Sequence, residues 1–311
     1  MTNKKSNILP IVVMYLLFFM IAFVTNLCNP MAVIVKNNFA MSNFAAQLGN
    51  AANFIAYAAM GIPAGMLLKK IGYRKTALVA ILIGFIGVFL QYMSGWAAIQ
   101  SFWVYLAGAF TAGFCMCMLN TVVNPMLNTL GGGGNKGNQL VQFGGVCNSL
   151  AAVLVTIIMG SLIADATKAQ IADATPALMI ALGVFAFAFL VLLLVKIPEP
   201  AQENEGDKAK DKKYSAFSFR HFNLGILAIF LYMGVEVGVP TYVMQYLTTS
   251  PDATTPGLGI NASIVGMIVA VYWLLMLVGR LLGGMIGGKV SSRAQITGVS
   301  ILCLVLVLLG M

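Results

Sequence analysis

One acidic residue of this sequence lies where a charge is costly. Glu236 occupies the middle of the stretch FLYMGVEVGVPTYVMQY (residues 230–246), inside a long apolar run. An ionised carboxylate at the centre of a lipid bilayer costs about 3 kcal/mol, so an acid inside a membrane span is usually functional. Gly234, Gly238 and Pro240 weaken the helix around it, where a ligand could reach the backbone. This stretch is the first candidate for a functional site.

Glu236 has two possible roles. Arg280 lies inside a later apolar run, at a compatible depth in the membrane. Burial disfavours the charged form of a carboxyl group and a nearby arginine favours it, so the two residues together could form a proton-coupling site. The alternative is a structural ion pair between Glu236 and Arg280, and the sequence leaves both interpretations open.

Amide and aromatic side chains in other apolar runs could bind a polar solute. Such groups need a reason to be in a membrane, where leucine would cost less. Asn26 and Asn29 share one helix face just before Pro30. Asn120 and Asn124 lie one helical turn apart. The candidate binding residues are Asn26, Asn29, Asn120, Asn124, Gln142, Tyr242, Gln245 and Trp273. The alternative is that the amides link neighbouring helices and that Trp273 only fills space.

The elements that position these residues are membrane-spanning helices. The sequence is 60% hydrophobic and 9% charged, with a mean hydropathy of +0.91, and this charge is too low to cover a soluble domain. Apolar runs of about 20 residues or more recur along the chain. They predict helices over residues 8–35, 44–68, 76–94, 100–129, 138–165, 176–196, 222–248 and 262–288, and from 294 onward. The predicted fold class is an all-α polytopic membrane protein.

A polar segment divides the predicted helices into two groups. Residues 198–213 (PEPAQENEGDKAKDKK) cannot bury a core and are typical of a linker. We expect an N-terminal six-helix bundle over residues 1–197, a cytoplasmic linker over 198–219 and a partial C-terminal bundle over 220–311. Because the last apolar run ends without a polar tail, we expect the second bundle to be truncated in helix 9.

The basic residues predict the orientation in the membrane. With a cytoplasmic N-terminus, the lysines and arginines of the loops fall almost entirely on the inner side, and only Lys36 and Lys168 lie outside. The formal charge of +9 therefore reflects membrane topology, and no nucleic-acid partner is expected. A membrane-embedded enzyme would need clustered histidines or acids, whereas this chain has a single histidine, so we expect no enzyme, metal or cofactor.

A loop between the second and third predicted helices resembles the inner-loop signature of the major facilitator superfamily, G-x-x-x-D-R/K-x-G-R/K-R/K. The matching residues are Gly65, Lys70, Gly72, Arg74 and Lys75. Lys69 stands at the acidic position of the signature, which puts in doubt the charge-relay gating attributed to this loop.

Further stretches resemble the fucose/glucose/galactose symporters within that superfamily. They are Phe44–Gly65, NPM at 124–126 with TLG at 129–131, Asn148-Ser149, FLYMGVEV at 230–237, and Tyr272-Trp273 with Gly279-Arg280. The resemblance implies two six-helix bundles of the major facilitator type in a bacterial cytoplasmic (inner) membrane. It also implies import of a monosaccharide, a hexose or deoxyhexose, by alternating access. We expect the protein to be a monomer.

The resemblance implies proton-coupled symport, and sodium is the coupling ion that we expect if protons are not used. Asn29 and Asn120 stand where the fucose symporters carry acids, and an amide cannot titrate. If the protein is proton-coupled, the proton is therefore expected on Glu236. The alternative function is uncoupled or differently coupled transport of another small polar solute, such as an amino sugar or a nucleoside.

Overall fold

The computed structural model describes residues 8–162, 169–195, 197–199, 216–252 and 256–310. These residues form helices and loops, without a strand. The helices are α1 (Ile8–Asn38), α2 (Asn43–Ala46), α3 (Leu48–Ile71), α4 (Tyr73–Met93), α5 (Phe102–Leu130), α6 (Gly134–Leu162), α7 (Thr175–Leu194), a 3-10 helix (Ala216–Ser218), α8 (Arg220–Thr248), α9 (Ala262–Gly287) and α10 (Ser292–Gly310).

Nine segments of the described chain are long and apolar enough to cross a membrane. Helices α2 and α3 together supply one of them, Phe44–Ile71. The prediction of an all-α polytopic membrane protein is confirmed. The predicted end of helix 5 (163–165), residue 196 at the predicted end of helix 6, and most of the predicted linker (200–215) lie outside the described residues.

The first helix is longer than predicted. It continues to Asn38 although Pro30 lies inside it, and α3, α5 and α8 likewise contain internal prolines. Membrane helices tolerate proline because neighbouring helices and side chains can satisfy the backbone groups that it frees. Proline is therefore a poor signal for a helix end in this chain.

Helix α5 is the centre of the first six spans. It packs against α3 and α4, while α1 packs against α6, and one continuous core of buried apolar side chains joins these helices with α7. Glycines permit the close crossings. A Cβ atom on Gly87 would lie 2.6 Å from the backbone N of Ala112, and one on Gly113 would lie 2.2 Å from the backbone O of Asn53. Small residues at such crossings let membrane helices approach to backbone contact.

The later helices join this group through α6. Helix α9 runs antiparallel to α6 and contacts it along its length, and α8 packs beside α9. A second, smaller apolar cluster formed by Ala152, Val265, Val269 and Trp273 lies in the contact of α6 with α9. The α6–α9 pair therefore carries most of the described contact between the first six spans and the later ones.

Gly113→Ala tests the close crossing of α3 and α5. The added methyl group would collide with the backbone of Asn53, and overpacking of this kind costs about 1–3 kcal/mol. We expect a lower midpoint of thermal unfolding in detergent. Gly61→Ala on α3 is the control, because a Cβ there meets no atom within 4 Å. Equal midpoints for the two variants would contradict this account of the crossing.

Candidate functional site

A cavity of about 490 Å³ opens between α1 and α8. Its volume falls within the range of roughly 300–1,000 Å³ that is usual for small-molecule sites. The polar part of its lining consists mainly of amides and hydroxyls, with one lysine. The lining residues that carry polar side chains are Asn29, Lys36, Asn37, Gln47, Thr241, Gln245, Thr248, Thr249 and Ser250. The cavity can thus offer several hydrogen bonds to an uncharged polar molecule.

Asn29 is a polar group of this lining that contacts from other helices hold in place. Its Oδ1 accepts a hydrogen bond from Nδ2 of Asn50 on α3 at 2.8 Å. The hydroxyl of Thr241 lies 3.2 Å from the same Oδ1, and 2.7 Å from the backbone O of Val237. Asn29 therefore joins α1, α3 and α8 at one point, and its amide is held in a defined orientation at the cavity wall.

A second void of about 10 Å³ shares Asn29 and Met244 with the cavity. It is lined by Asn26, Thr156 and Trp273, and by Pro30 and Pro240 from the two proline-containing helices. A void of this volume corresponds to one water molecule. Asn26 and Trp273, two of the predicted binding residues, thus lie against this void and not in the wall of the larger cavity.

Glu236 and Arg280 form an ion pair inside the protein. Arg280 Nη2 donates to Glu236 Oε1 at 2.6 Å, and the two side chains are 21% and 9% exposed. Nη2 also donates to the Tyr232 hydroxyl at 3.1 Å. Nη1 donates to the backbone O of Gly145 and to Ser149 Oγ, both at 3.0 Å. A single guanidinium group therefore connects α8, through Glu236 and Tyr232, with α6.

Two nearby residues explain how the structure accommodates the Glu236–Arg280 ion pair. Pro240 has no N–H group, so the backbone O of Glu236 lacks its normal helical donor. The hydroxyl of Tyr272 donates to that oxygen instead, at 3.2 Å. On the other side, a Cβ on Gly145 would lie only 3.1 Å from Arg280 Cδ, so the glycine leaves room for the arginine.

Four of the predicted binding residues lie away from both voids. Asn120 and Asn124 bond within α5, where Asn124 Nδ2 donates to the backbone O of Asn120 at 3.1 Å. Tyr242 is 69% exposed and stacks on Tyr246, with ring centroids 6.1 Å apart. Gln142 lies among α6, α9 and α10. The structure brings Asn29 and Gln245 together in the cavity, but not these four residues.

The cavity also contains residues outside the predicted set. Thr241 follows Pro240 directly, and Gln47 precedes α3. Both are polar residues in apolar surroundings, which is the signal that could have identified them. Asn50 is a supporting residue, since its bond to Asn29 fixes the amide of that side chain. No three His, Cys, Asp or Glu side chains of the described ranges come together as a metal site would need.

The loop between α3 and α4 is held by an acid from a distant part of the chain. The carboxylate of Glu199 accepts from the backbone N–H groups of Tyr73 and Arg74, at 2.8 and 3.1 Å. Gly72 has a φ of +84°, and a Cβ there would lie 2.8 Å from Glu199 Oε2. Arg74 donates to the backbone O atoms of Leu192 and Leu193, at 3.0 and 2.7 Å.

The charges in these contacts are opposite to the partial charges of the helix ends that they touch. A carboxylate stabilises the N-terminus of α4 and a guanidinium stabilises the C-terminus of α7. Lys70 and Lys75 are exposed, and Gly65 has open space beside it. Although Lys69 replaces the acid of the loop signature, Glu199 supplies a carboxylate at the neighbouring helix end.

Glu199→Ala tests this capping contact. Loss of a capping acceptor leaves two first-turn amides of α4 without a partner and costs about 0.5–2 kcal/mol. We expect faster hydrogen exchange in the peptide that covers residues 72–77. Asp252→Ala is the control, because the Asp252 side chain is exposed and makes no hydrogen bond within the described residues. Unchanged exchange at 72–77 would contradict the capping role.

Comparison with known proteins places these features in a family. Residues 14–311 match the model of the Major Facilitator Superfamily. A glucose/galactose transporter of Brucella abortus biovar 1 (strain 9-941) is 29% identical over 288 residues, which cover 91% of this chain and 68% of that protein. The L-fucose-proton symporter of Escherichia coli (strain K12) is 23% identical over 337 residues, which cover 99% of this chain and 74% of that protein.

A solved structure shares the fold. The crystal structure of FucP, a Major Facilitator Superfamily transporter in the outward conformation, superposes with a TM-score of 0.71. The identity is 22%, and the match covers 92% of this chain and 73% of that one. This similarity extends across the first six spans and the later helices.

Proposed function

This chain belongs to the Major Facilitator Superfamily, and on that premise we propose that it imports a monosaccharide by alternating access. The resemblance predicted from the sequence is confirmed, and since the family consists of transporters, the chain is not an enzyme. The observation that carries the proposal is the cavity between α1 and α8, whose polar lining is mostly neutral amides and hydroxyls. Relatives named as glucose/galactose and L-fucose transporters support a sugar as the solute.

The proposed orientation has the N-terminus in the cytoplasm of a bacterial cell with the protein in the inner membrane. The distribution of lysines and arginines among the loops supports it. In this orientation the C-terminal parts of α1 and α8 are external, so the cavity lined by Asn29, Thr241 and Gln245 faces the outside. The contact of α6 with the C-terminal end of α9 is then internal.

In the proposed binding mode, sugar hydroxyls exchange hydrogen bonds with the amides of Asn29, Gln47 and Gln245 and with the hydroxyl of Thr241. These groups lie on helices from both sides of the cavity. A solute bound there contacts α1 and α8 together. Its binding energy can therefore depend on the relative position of the two helix groups, as alternating access requires.

Thr241→Val tests the cavity as the sugar site. Valine keeps the shape of the side chain but removes the hydroxyl that lies near Asn29. A ligand that binds the folded protein raises its thermal stability. We expect a hexose or deoxyhexose to raise the unfolding midpoint of the unsubstituted protein in detergent, and to raise it less in the variant. The screen is repeated with and without sodium to identify the coupling ion.

Thr111→Val is the matched control for this experiment. Both threonine hydroxyls lie close to the backbone O four residues earlier, at 2.7 Å for Thr241 and 2.8 Å for Thr111, but Thr111 lies on α5 away from the cavity. The control variant should keep the full ligand response. An equal loss in both variants would argue against the cavity, and no response to any hexose would argue against a sugar substrate.

We propose that Glu236 carries the coupling proton. It is the only carboxylate within the membrane-spanning helices that the structure describes. When Glu236 accepts a proton, its attraction to Arg280 weakens, while Arg280 keeps its bonds to Gly145 and Ser149 on α6. Protonation would thus loosen α8 from α6 without leaving the guanidinium group unpartnered.

Glu236→Gln tests this proposal. Glutamine can still accept from Arg280 but cannot exchange a proton, so uphill uptake driven by an imposed pH gradient should be lost. Exchange of labelled sugar across vesicles at equal concentrations should continue. Asp173→Asn, which removes an exposed carboxylate outside the spans, should leave both activities unchanged. Accumulation by the Glu236 variant at the unsubstituted level would exclude Glu236 as the proton carrier.

A further inference from the structure

The antiparallel pair α6–α9 has two distinct ends. At one end Gly160 lies against Gly266, near the small void, and in the middle Gly145 lies against Arg280. At the other end Gln139 lies against Gly284, where the first residues of α10 join the contact. This last end is farthest from the cavity, and by the proposed orientation it faces the cytoplasm.

Four amide side chains connect the helices at this internal end. Gln139 Nε2 donates to the backbone O of Gly284 at 2.9 Å, and Gln142 Nε2 lies 3.5 Å from Gln295 Oε1. Asn138 Nδ2 lies 3.4 Å from Ser292 Oγ. We call Asn138, Gln139, Gln142 and Gln295 the amide latch. Each of its three cross-helix contacts joins one of the first six spans to a later helix.

Glycines in α9 and directly after it give the latch its geometry. A Cβ on Gly283 would lie 3.1 Å from Gln142 Oε1, and one on Gly288 would lie 3.7 Å from the Gln139 amide. Because these positions lack side chains, both glutamines can lie close to the backbone there, and Gln139 donates to the backbone O of Gly284.

Among the described residues, one hydrogen-bonding group of the amide latch lacks a partner. Gln142 Oε1 is buried and has no hydrogen-bond donor among the described residues. A buried acceptor without a donor destabilises the closed arrangement, and water would supply that donor if the helix ends separated. Opening would therefore lose neutral hydrogen bonds but gain the hydration of Gln142, which makes the contact breakable.

We propose that the amide latch is the internal gate, which holds the cytoplasmic end closed while the cavity between α1 and α8 is open. The proposal rests on alternating access as put forward above. It assigns Gln142 a positioning role in gating, in place of the substrate contact that the sequence suggested. Gln295, which the sequence analysis did not consider, becomes its partner across the gate.

Gln142→Ala tests the gate without any sugar. Hydrogen exchange of the full chain in detergent should become several-fold faster in peptides covering 134–142 and 283–295, at the latch. It should become slower at the cavity mouth, residues 244–250, because closure there accompanies opening at the other end. Gln170→Ala, at an exposed position beyond α6, should change neither region. Unchanged exchange, or faster exchange at both ends, would overturn the proposal.

A pair of opposite charges at positions 142 and 295 should restore the contact that Gln142→Ala removes. Gln142→Lys combined with Gln295→Glu replaces a neutral contact by a charge-assisted one, which is roughly twice as strong. The double variant should restore slow exchange at the latch, while Gln142→Lys alone should exchange as fast as Gln142→Ala. Failure of the double variant to restore protection would overturn the gate. Because neither measurement uses a sugar, a wrong assignment of the substrate would leave these results unaffected.

Discussion

The ion pair of Arg280 with Glu236 is the interaction on which the later part of the structure depends. A guanidinium that is largely removed from water is stable only when its donors find acceptors, and the two Nη groups of Arg280 find theirs on two different helix groups. The carboxylate on α8 supplies the charge, and α6 supplies a backbone oxygen and a hydroxyl. Removing Arg280 would leave the buried carboxylate of Glu236 without its counter-charge, so α6, α8 and α9 are constrained together at this depth.

Prolines extend this constraint to the cavity. Pro240 frees the backbone O of Glu236 for Tyr272, and Thr241, the next residue, turns its hydroxyl toward Asn29. Asn29 itself precedes Pro30 on α1. The ion pair and the cavity wall are therefore joined through one turn of α8. A solute that displaces Thr241 would act on the segment that positions Glu236, which gives the proposed coupling a short physical path.

Much of the fold could be predicted from hydrophobic run length, and so could the depth at which Glu236 and Arg280 meet. The rotation of each helix about its own axis could not be predicted from the sequence. Asn120, Asn124 and Tyr242 are on spans of the right depth, yet none of them lines the cavity between α1 and α8. Helical spacing shows that two amides share a face, but not which neighbour that face meets. The sequence also could not predict that Glu199 contacts the start of α4. The residues that this contact joins are separated by 125 and 126 positions in the chain.

The different chemistry at the two ends of the α6–α9 pair bears on how the pair can move. At Gly160 and Gly266 the backbones touch, since a Cβ on Gly266 would lie 3.3 Å from Gly160 Cα. Rotation about that point changes the helix separation least near the glycines and much more at the amide latch. Arg280 lies between them and moves by an intermediate amount. Glu236 contacts the α6–α9 pair through Arg280, between its two ends. A change in the charge of Glu236 can therefore affect both ends of the pair.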